Sequence, residues 1–177
     1  LEVTFDQKSA EARQVTVETV KLLNKELGDK MCFGTGTVTT PELVEMSAEA
    51  GALYIISPDT DAAVIRRTRE LGLVSLPGAY TATEAKQAHM AGADFVKLFP
   101  CIDGAPAYLK ALSAPLSHIR FLAVGGVNAD NAADFLKAGA VGVGVGSSLV
   151  NKKWVEAGRF DLITEEAKKF ITNIANN

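Results

Sequence analysis

The chain has 177 residues, 47% of them apolar and 22% charged, which suits one compact domain with a single core and leaves no room for two. Its formal net charge of −3 at pH 7, without a long block of like charges, argues against a nucleic-acid or membrane surface and for a small-molecule partner. No apolar run approaches the ~18 residues of a membrane span, and the opening LEVTFDQ lacks the basic region and apolar stretch of a signal peptide.

Cys32 and Cys101 lie far apart with no C-x-x-C pattern, so neither a disulfide framework nor a zinc knuckle is expected. His89 and His118 are expected on the surface, too few and too scattered for a metal cluster. The expectation is a soluble, cytoplasmic protein without a metal.

Along the chain one unit recurs: an amphipathic segment, a glycine, then a short apolar run. The runs are LEVTF (1–5), MCFGTGTV (31–38), LYIISP (53–58), LVSLPG (73–78), DFVKLFP (94–100), IRFLAVGG (119–126) and AVGVGVGSS (140–148). Nearly continuous apolar character marks them as seven buried parallel strands. Between them, Val20, Leu23, Leu27 and then Leu43, Met46, Ala50 repeat at three and four residues, giving helices with one apolar stripe.

Helix starts are signalled by Thr40-Pro41-Glu42 and by the capping box Thr81-x-x-Glu84. Helix ends are expected at Gly28, Gly51, Gly72, Gly92 and Gly139, each as a left-handed stop. The double interval from Gly92 to Gly139 has its missing break near Ser117-His118.

Alternating strands and helices imply a parallel α/β fold, either a doubly wound sheet or a closed barrel. Chemistry-bearing residues fall at the C-terminal ends of several strands, which favours the TIM (β/α)8 barrel. Seven strands, no initiating Met, and a length below the ~200 residues of short barrels lead to the expectation of a single barrel domain over 1–177 that lacks its first strand–helix unit.

Lys97 interrupts the apolar strand Asp94-Phe95-Val96-Lys97-Leu98-Phe99-Pro100. Burying an ammonium is expensive unless it is paired or deprotonated, and a deprotonated amine can attack a ketone carbonyl. The alternative is a lysine whose stem lines the strand while its head reaches water. Glu2 alternates with apolar neighbours and shares a strand face with Thr4, either as a proton shuttle or as a solvated chain-end carboxylate.

Gly34-Thr35-Gly36-Thr37 follows a strand and opens a helix, a place for a carboxylate or simply a tight turn. Gly125-Gly126 and Gly146-Ser147 end the strands that would be seventh and eighth in such a barrel, where a phosphate site is often built. Asn128 and Ser148 are expected to act only locally there.

In content and order these motifs resemble the 2-keto-3-deoxy-6-phosphogluconate and 4-hydroxy-2-oxoglutarate aldolases, a family of class I pyruvate aldolases. The likeness spans nearly the whole chain: LEVT at Glu2, GTGT at Thr37, Ser57-Pro58, Leu76-Pro77-Gly78, and FVKLFP at Lys97 as its strongest element. It implies Lys97 as Schiff-base nucleophile, Glu2 as acid/base, and Thr37 with Gly36 as carboxylate ligands. It further implies Pro77 and Phe99 as pocket walls, and Gly125, Gly126, Gly146 and Ser147 near a distal phosphate.

The implied reaction is reversible cleavage of a 2-keto-3-deoxy sugar acid to pyruvate and an aldehyde, glyceraldehyde 3-phosphate or glyoxylate. It would run in a homotrimer with no cofactor. Two positions depart from the pattern. The usual arginine after the LEVT glutamate is Asp6, followed by Gln7, and the usual threonine before the paired glycines is Val124. The first loses a guanidinium able to fork onto a carboxylate, the second a hydroxyl donor. The alternatives on the same fold are a phosphosugar isomerase or synthase and a noncatalytic phosphometabolite-binding protein.

Overall fold

The structure, a computed structural model, describes residues 1–102 and 104–176. Strands and helices alternate as β1 (Glu2–Thr4), α1 (Ala10–Leu27), β2 (Gly34–Gly36), α2 (Pro41–Glu49), β3 (Tyr54–Ile56), α3 (Ala62–Glu70), β4 (Val74–Leu76), β5 (Gly78–Ala79) and α4 (Ala82–Met90). They continue as β6 (Val96–Leu98), α5 (Ala105–Ser113), β7 (Phe121–Val124), α6 (Ala132–Lys137), β8 (Gly142–Gly144), α7 (Lys152–Glu156) and α8 (Phe160–Ala175). Each of the seven apolar runs holds a strand. The run LVSLPG holds two, β4 and β5, interrupted at Pro77, which has no N–H to give to a ladder.

The chain forms two compact units, Leu1–Val96 and Lys97–Asn177. In the first, β1, β2, β3 and β4 lie side by side, all parallel, with Glu2 opposite Gly34, Gly34 opposite Tyr54, and Tyr54 opposite Val74. Because side chains alternate along a strand, Val3, Thr35, Ile55 and Ser75 form one row on one face. Thr35, Ile55 and Ser75 are buried, and Val3 packs against a core of Val17, Val20, Leu43, Val44, Val64 and Leu73. The other face carries Glu2, Thr4, Gly34, Gly36, Tyr54 and Ile56.

Buried hydroxyls on the core side are satisfied locally. Thr35 and Ser47 share a hydrogen bond of 2.7 Å, and Ser47 donates to the Leu43 carbonyl at 2.6 Å. Arg69 pairs with Asp94 at 2.7 Å, and the same carboxylate accepts from the Ser75 N–H at 2.8 Å, anchoring the end of α4's loop to β4.

In the second unit β6, β7 and β8 are neighbours in that order, with Leu122 opposite Gly142 and Val124 opposite Gly144 in parallel register. Phe121, Leu109, Leu112, Ala132, Phe135 and Phe170 are buried with them. The Asn173 amide of α8 donates to the Ala129 carbonyl at 2.9 Å.

The helix starts are those the sequence marks. Thr40 caps α2, and Thr81 with Glu84 forms a complete capping box at α4. Gly51, Gly72, Gly92 and Gly139 are left-handed, with φ of 84°, 74°, 104° and 107°. Gly28 is not, with φ −64°. There α1 ends in a tightening turn in which the Lys30 and Met31 N–H groups both reach the Leu27 carbonyl, at 2.9 and 3.0 Å, so no left-handed stop is needed.

The Thr35–Ser47 pair makes two substitutions unequal. Thr35→Val should cost about 1 kcal/mol, the net worth of one hydrogen bond, whereas Ser47→Ala strands the buried Thr35 hydroxyl and should cost about 2 kcal/mol. Urea unfolding of the two variants checks the order.

Candidate active site

In the first unit the chemistry gathers on the sheet face turned away from the core. Glu2 starts β1, and its carboxylate lies over Gly36, filling the place where a Cβ at Gly36 would stand. Likewise the Tyr54 ring lies over Gly34. Glycine at both positions of Gly34-Thr35-Gly36 therefore makes room for a neighbour's side chain, while Thr35 between them faces the core. Burial first, and then the negative charge of Glu2 and of Cys32, pushes the Tyr54 phenol up to about 12.

Thr37 follows directly and is the one non-glycine residue among those described with a positive φ, 57°. A β-branched residue held there stores about 1–3 kcal/mol of strain, and such strain concentrates at ligand clamps and active sites. Three hydrogen bonds hold the turn. The Phe5 N–H donates to the Gly36 carbonyl (2.9 Å), the Val38 N–H to the Ile56 carbonyl (3.2 Å), and the Gln7 side-chain amide to the Thr37 carbonyl (2.8 Å). No hydrogen bond engages the Thr37 hydroxyl among the described residues.

Asp6 turns elsewhere, accepting from the Lys8 N–H at 2.9 Å with the Lys8 ammonium 3.9 Å away. The Ser57-Pro58 and Leu76-Pro77-Gly78 motifs meet. The Ser57 N–H donates to the Leu76 carbonyl at 3.3 Å, the Thr60 hydroxyl to the Gly78 carbonyl at 2.6 Å, and a Cβ at Gly78 would strike the Pro58 carbonyl. Pro77 is buried.

In the second unit Lys97 sits at the centre of β6 between Val96 and Leu98, each 1% exposed, and is itself only 7% exposed. It is the one charged side chain in the buried set of described residues. Its Nζ lies 4.5 Å from the centre of the Phe99 ring, close enough for the aromatic face to stabilise a cation. The same ring lies against Gly125, where an added Cβ would come within 3.1 Å of it.

Gly125 and Gly126 are successive left-handed residues, φ 83° and 81°, a conformation open to glycine at little cost. At Gly126 any Cβ would strike the Cys101 carbonyl. The loop beyond is braced by Asn131, whose amide donates to the Gly126 carbonyl at 3.0 Å, and by Ser148, whose hydroxyl donates to the Val127 carbonyl at 2.6 Å.

Asn128 accepts from the Asp130 and Asn131 N–H groups, so Asn128 and Ser148 shape this loop from within. Gly146 accepts from the Leu149 and Val150 N–H groups, both at 2.9 Å, which leaves Ser147 exposed at the start of that turn. The Val124 side chain leans over Gly144, packing β7 on β8. A cavity of about 570 Å³ opens beside Gly126, lined also by Cys101, Ile102, Gly104, Pro106, Asn131 and Phe135.

Glu2, Gly36 and Thr37 thus gather in the first unit, and Lys97, Phe99, Gly125 and Gly126 in the second. Sequence reasoning passed over two residues. Tyr54 carried a usable signal, since it alternates with Ile55 and so shares the face of Glu2. Gln7 carried none, because its bond to Thr37 joins residues 30 apart. Among the described residues no group of three His, Cys, Asp or Glu could hold a metal, and no helix is long and apolar enough to cross a membrane.

The chain superposes on native KDPGal with a TM-score of 0.85 at 35% identity, covering 99% of this chain and 81% of the other. A KDPG aldolase from Legionella pneumophila, with pyruvate captured at low pH as a covalent carbinolamine intermediate, matches at TM-score 0.82 and 26% identity, covering 99% and 79%.

The fold is therefore α/β of the TIM-barrel type, not a doubly wound sheet. The KDPG and KHG aldolase family model matches residues 1–166, and the chain belongs to that family. The 2-dehydro-3-deoxy-6-phosphogalactonate aldolase of Escherichia coli K12 is 46% identical over 123 residues, 69% of this chain and 60% of that protein's length.

The raised Tyr54 phenol carries a consequence for alkaline stability. Unfolded, it would lose its proton near the ordinary phenol value of 10.0, whereas folded it holds it to about 12. The native state therefore binds more protons across that window, and its stability falls as pH rises through it. Spectrophotometric titration should show one late phenol step that Tyr54→Phe removes, along with this part of the stability loss.

Proposed function

We propose that this protein catalyses the reversible class I aldol cleavage of a 2-keto-3-deoxy-6-phospho sugar acid to pyruvate and glyceraldehyde 3-phosphate. The observation that carries the reading is Lys97, a lysine embedded in the middle of an apolar strand with its amine against the Phe99 ring. Such a lysine is suited to act as an amine nucleophile rather than as a solvated cation.

The Lys97 amine, once deprotonated, attacks the C2 carbonyl carbon. A C–N bond forms, the carbonyl becomes the hydroxyl of a carbinolamine, and loss of water leaves an iminium. The C3–C4 bond then breaks with its electron pair flowing into the iminium to give an enamine, while the C4 hydroxyl surrenders its proton and becomes the aldehyde. Protonation at C3 and addition of water return pyruvate and the free amine. Glu2 serves as the proton carrier for dehydration and cleavage, a role favoured by its fixed position over Gly36.

Thr37, with the Gly36 backbone, takes the substrate carboxylate, and Pro77 and Phe99 wall the pocket. Gly125, Gly126, Gly146 and Ser147 take the phosphate, which suits the exposed glycine-rich turns after β7 and β8. With Asp6 where the family has an arginine, either another group compensates for the lost guanidinium or the preferred acid differs. The phosphogalactonate configuration is the preferred one of the two epimers, on the 46% identity with the Escherichia coli phosphogalactonate enzyme. The working form is a cytoplasmic homotrimer without a cofactor.

Borohydride reduction in the presence of pyruvate, followed by peptide mass mapping, tests the chemistry. The expected result is a pyruvate adduct on Lys97 that is absent in Lys97→Ala. A folded protein that takes no label would overturn the aldolase reading. Glu2→Gln should still form the adduct but slow turnover by about 10²–10⁴-fold. Steady-state comparison of the two C4 epimers should give the larger kcat/KM to the phosphogalactonate, and a preference for phosphogluconate would reverse that assignment.

A further inference from the structure

We infer that Gln7 is a positioning residue for the carboxylate end of the 2-keto acid, holding the left-handed Thr37 turn through a hydrogen bond from its side-chain amide to the Thr37 carbonyl. The inference rests on the aldolase reading above and adds to it how a site with Asp6 at the family's arginine position presents its carboxylate ligand. The starting point is the backbone of Thr37. A β-branched residue at φ 57° relaxes toward extended or right-handed conformations unless its surroundings over-determine it.

Two of the bonds that hold the turn are backbone to backbone, Phe5 to Gly36 and Val38 to Ile56, and they tie down the peptide planes on either side of the Thr37 Cα from the neighbouring residues. The bond to Thr37 itself is the Gln7 amide at 2.8 Å. Among the described residues it is the one side-chain hydrogen bond made to residues 36–38.

The neighbouring Asp6 cannot share the task. A carboxylate has no proton to donate to a carbonyl at neutral pH, and Asp6 is engaged with Lys8. Loss of the left-handed conformation would change the direction in which the Thr37 side chain leaves the backbone. Gln7 therefore acts on binding of the acid through Thr37 and has no part in bond making or breaking. Its loss should weaken the capture of pyruvate and leave the reactivity of the captured ketone nearly intact.

The test is the rate of pyruvate-dependent borohydride labelling of Lys97 against pyruvate concentration, with a melting curve for each protein. Gln7→Met keeps the length and removes the donor, Gln7→Glu sets an acceptor against the Thr37 carbonyl, and Gln7→Arg restores a donor. Half-saturating pyruvate should rise about five-fold in Gln7→Met and further in Gln7→Glu, the effect of one lost hydrogen bond. The maximal labelling rate should move less than about two-fold, and Gln7→Arg should return toward the parent protein.

Half-saturation unchanged in Gln7→Met and Gln7→Glu, in a parent protein that does label, overturns the inference alone. Maximal rate and half-saturation falling off together with melting temperature also overturn it, since that marks a merely structural residue. A parent protein that takes no label at all removes the aldolase reading, and this inference with it.

Discussion

Strands of three residues leave each face of the sheet with one or two side chains per strand, and the first unit depends on how those few places are divided. The middle residues Val3, Thr35, Ile55 and Ser75 face the core, so the flanking residues are released to the opposite face. Burial of the core side chains supplies the stability, at roughly 1.5–3 kcal/mol for each large apolar residue fully removed from water. Two of the four middle residues are hydroxylic, and Thr35 is tolerated because Ser47 of α2 completes its hydrogen bonding. The face left over can then carry Glu2 and Tyr54, which contribute nothing to the core.

Removing side chains matters as much as placing them. Gly34 and Gly36 take no space on the site face, and the Tyr54 ring and the Glu2 carboxylate lie in the vacated volume. The same logic recurs in the second unit, where Gly125 lies against the Phe99 ring and Gly126 against the Cys101 carbonyl. In these places glycine answers a close approach of another group. At Gly125 and Gly126 it also answers a positive φ, which an alanine would reach only with strain.

Charge is distributed with similar economy. The family's arginine position is held by Asp6, tied to Lys8 at the surface, and the corresponding turn is held by a neutral amide from Gln7. Val124, in place of a threonine, packs on Gly144 and so trades a hydroxyl for strand packing. Both changes leave Lys97 and Glu2 in place in the sequence.

Much of this architecture is determined by local sequence. Hydrophobic period, N-caps at Thr40 and Thr81, and left-handed stops at Gly51, Gly72, Gly92 and Gly139 are short-range effects, readable within a few residues. So is the oddity of a lysine inside DFVKLFP. Gly28 misled because whether a helix ends in a left-handed residue or in a tightening turn depends on where the chain must go next, and the residue type alone does not decide that. Tertiary structure alone decided that Glu2 lies over Gly36, that the Tyr54 ring lies over Gly34, that Gln7 holds Thr37, and that Phe99 links Lys97 to Gly125. Those contacts join segments brought together by strand register and by the turns after the strands, and register is set by packing of the whole sheet against its helices, which no local stretch of sequence encodes.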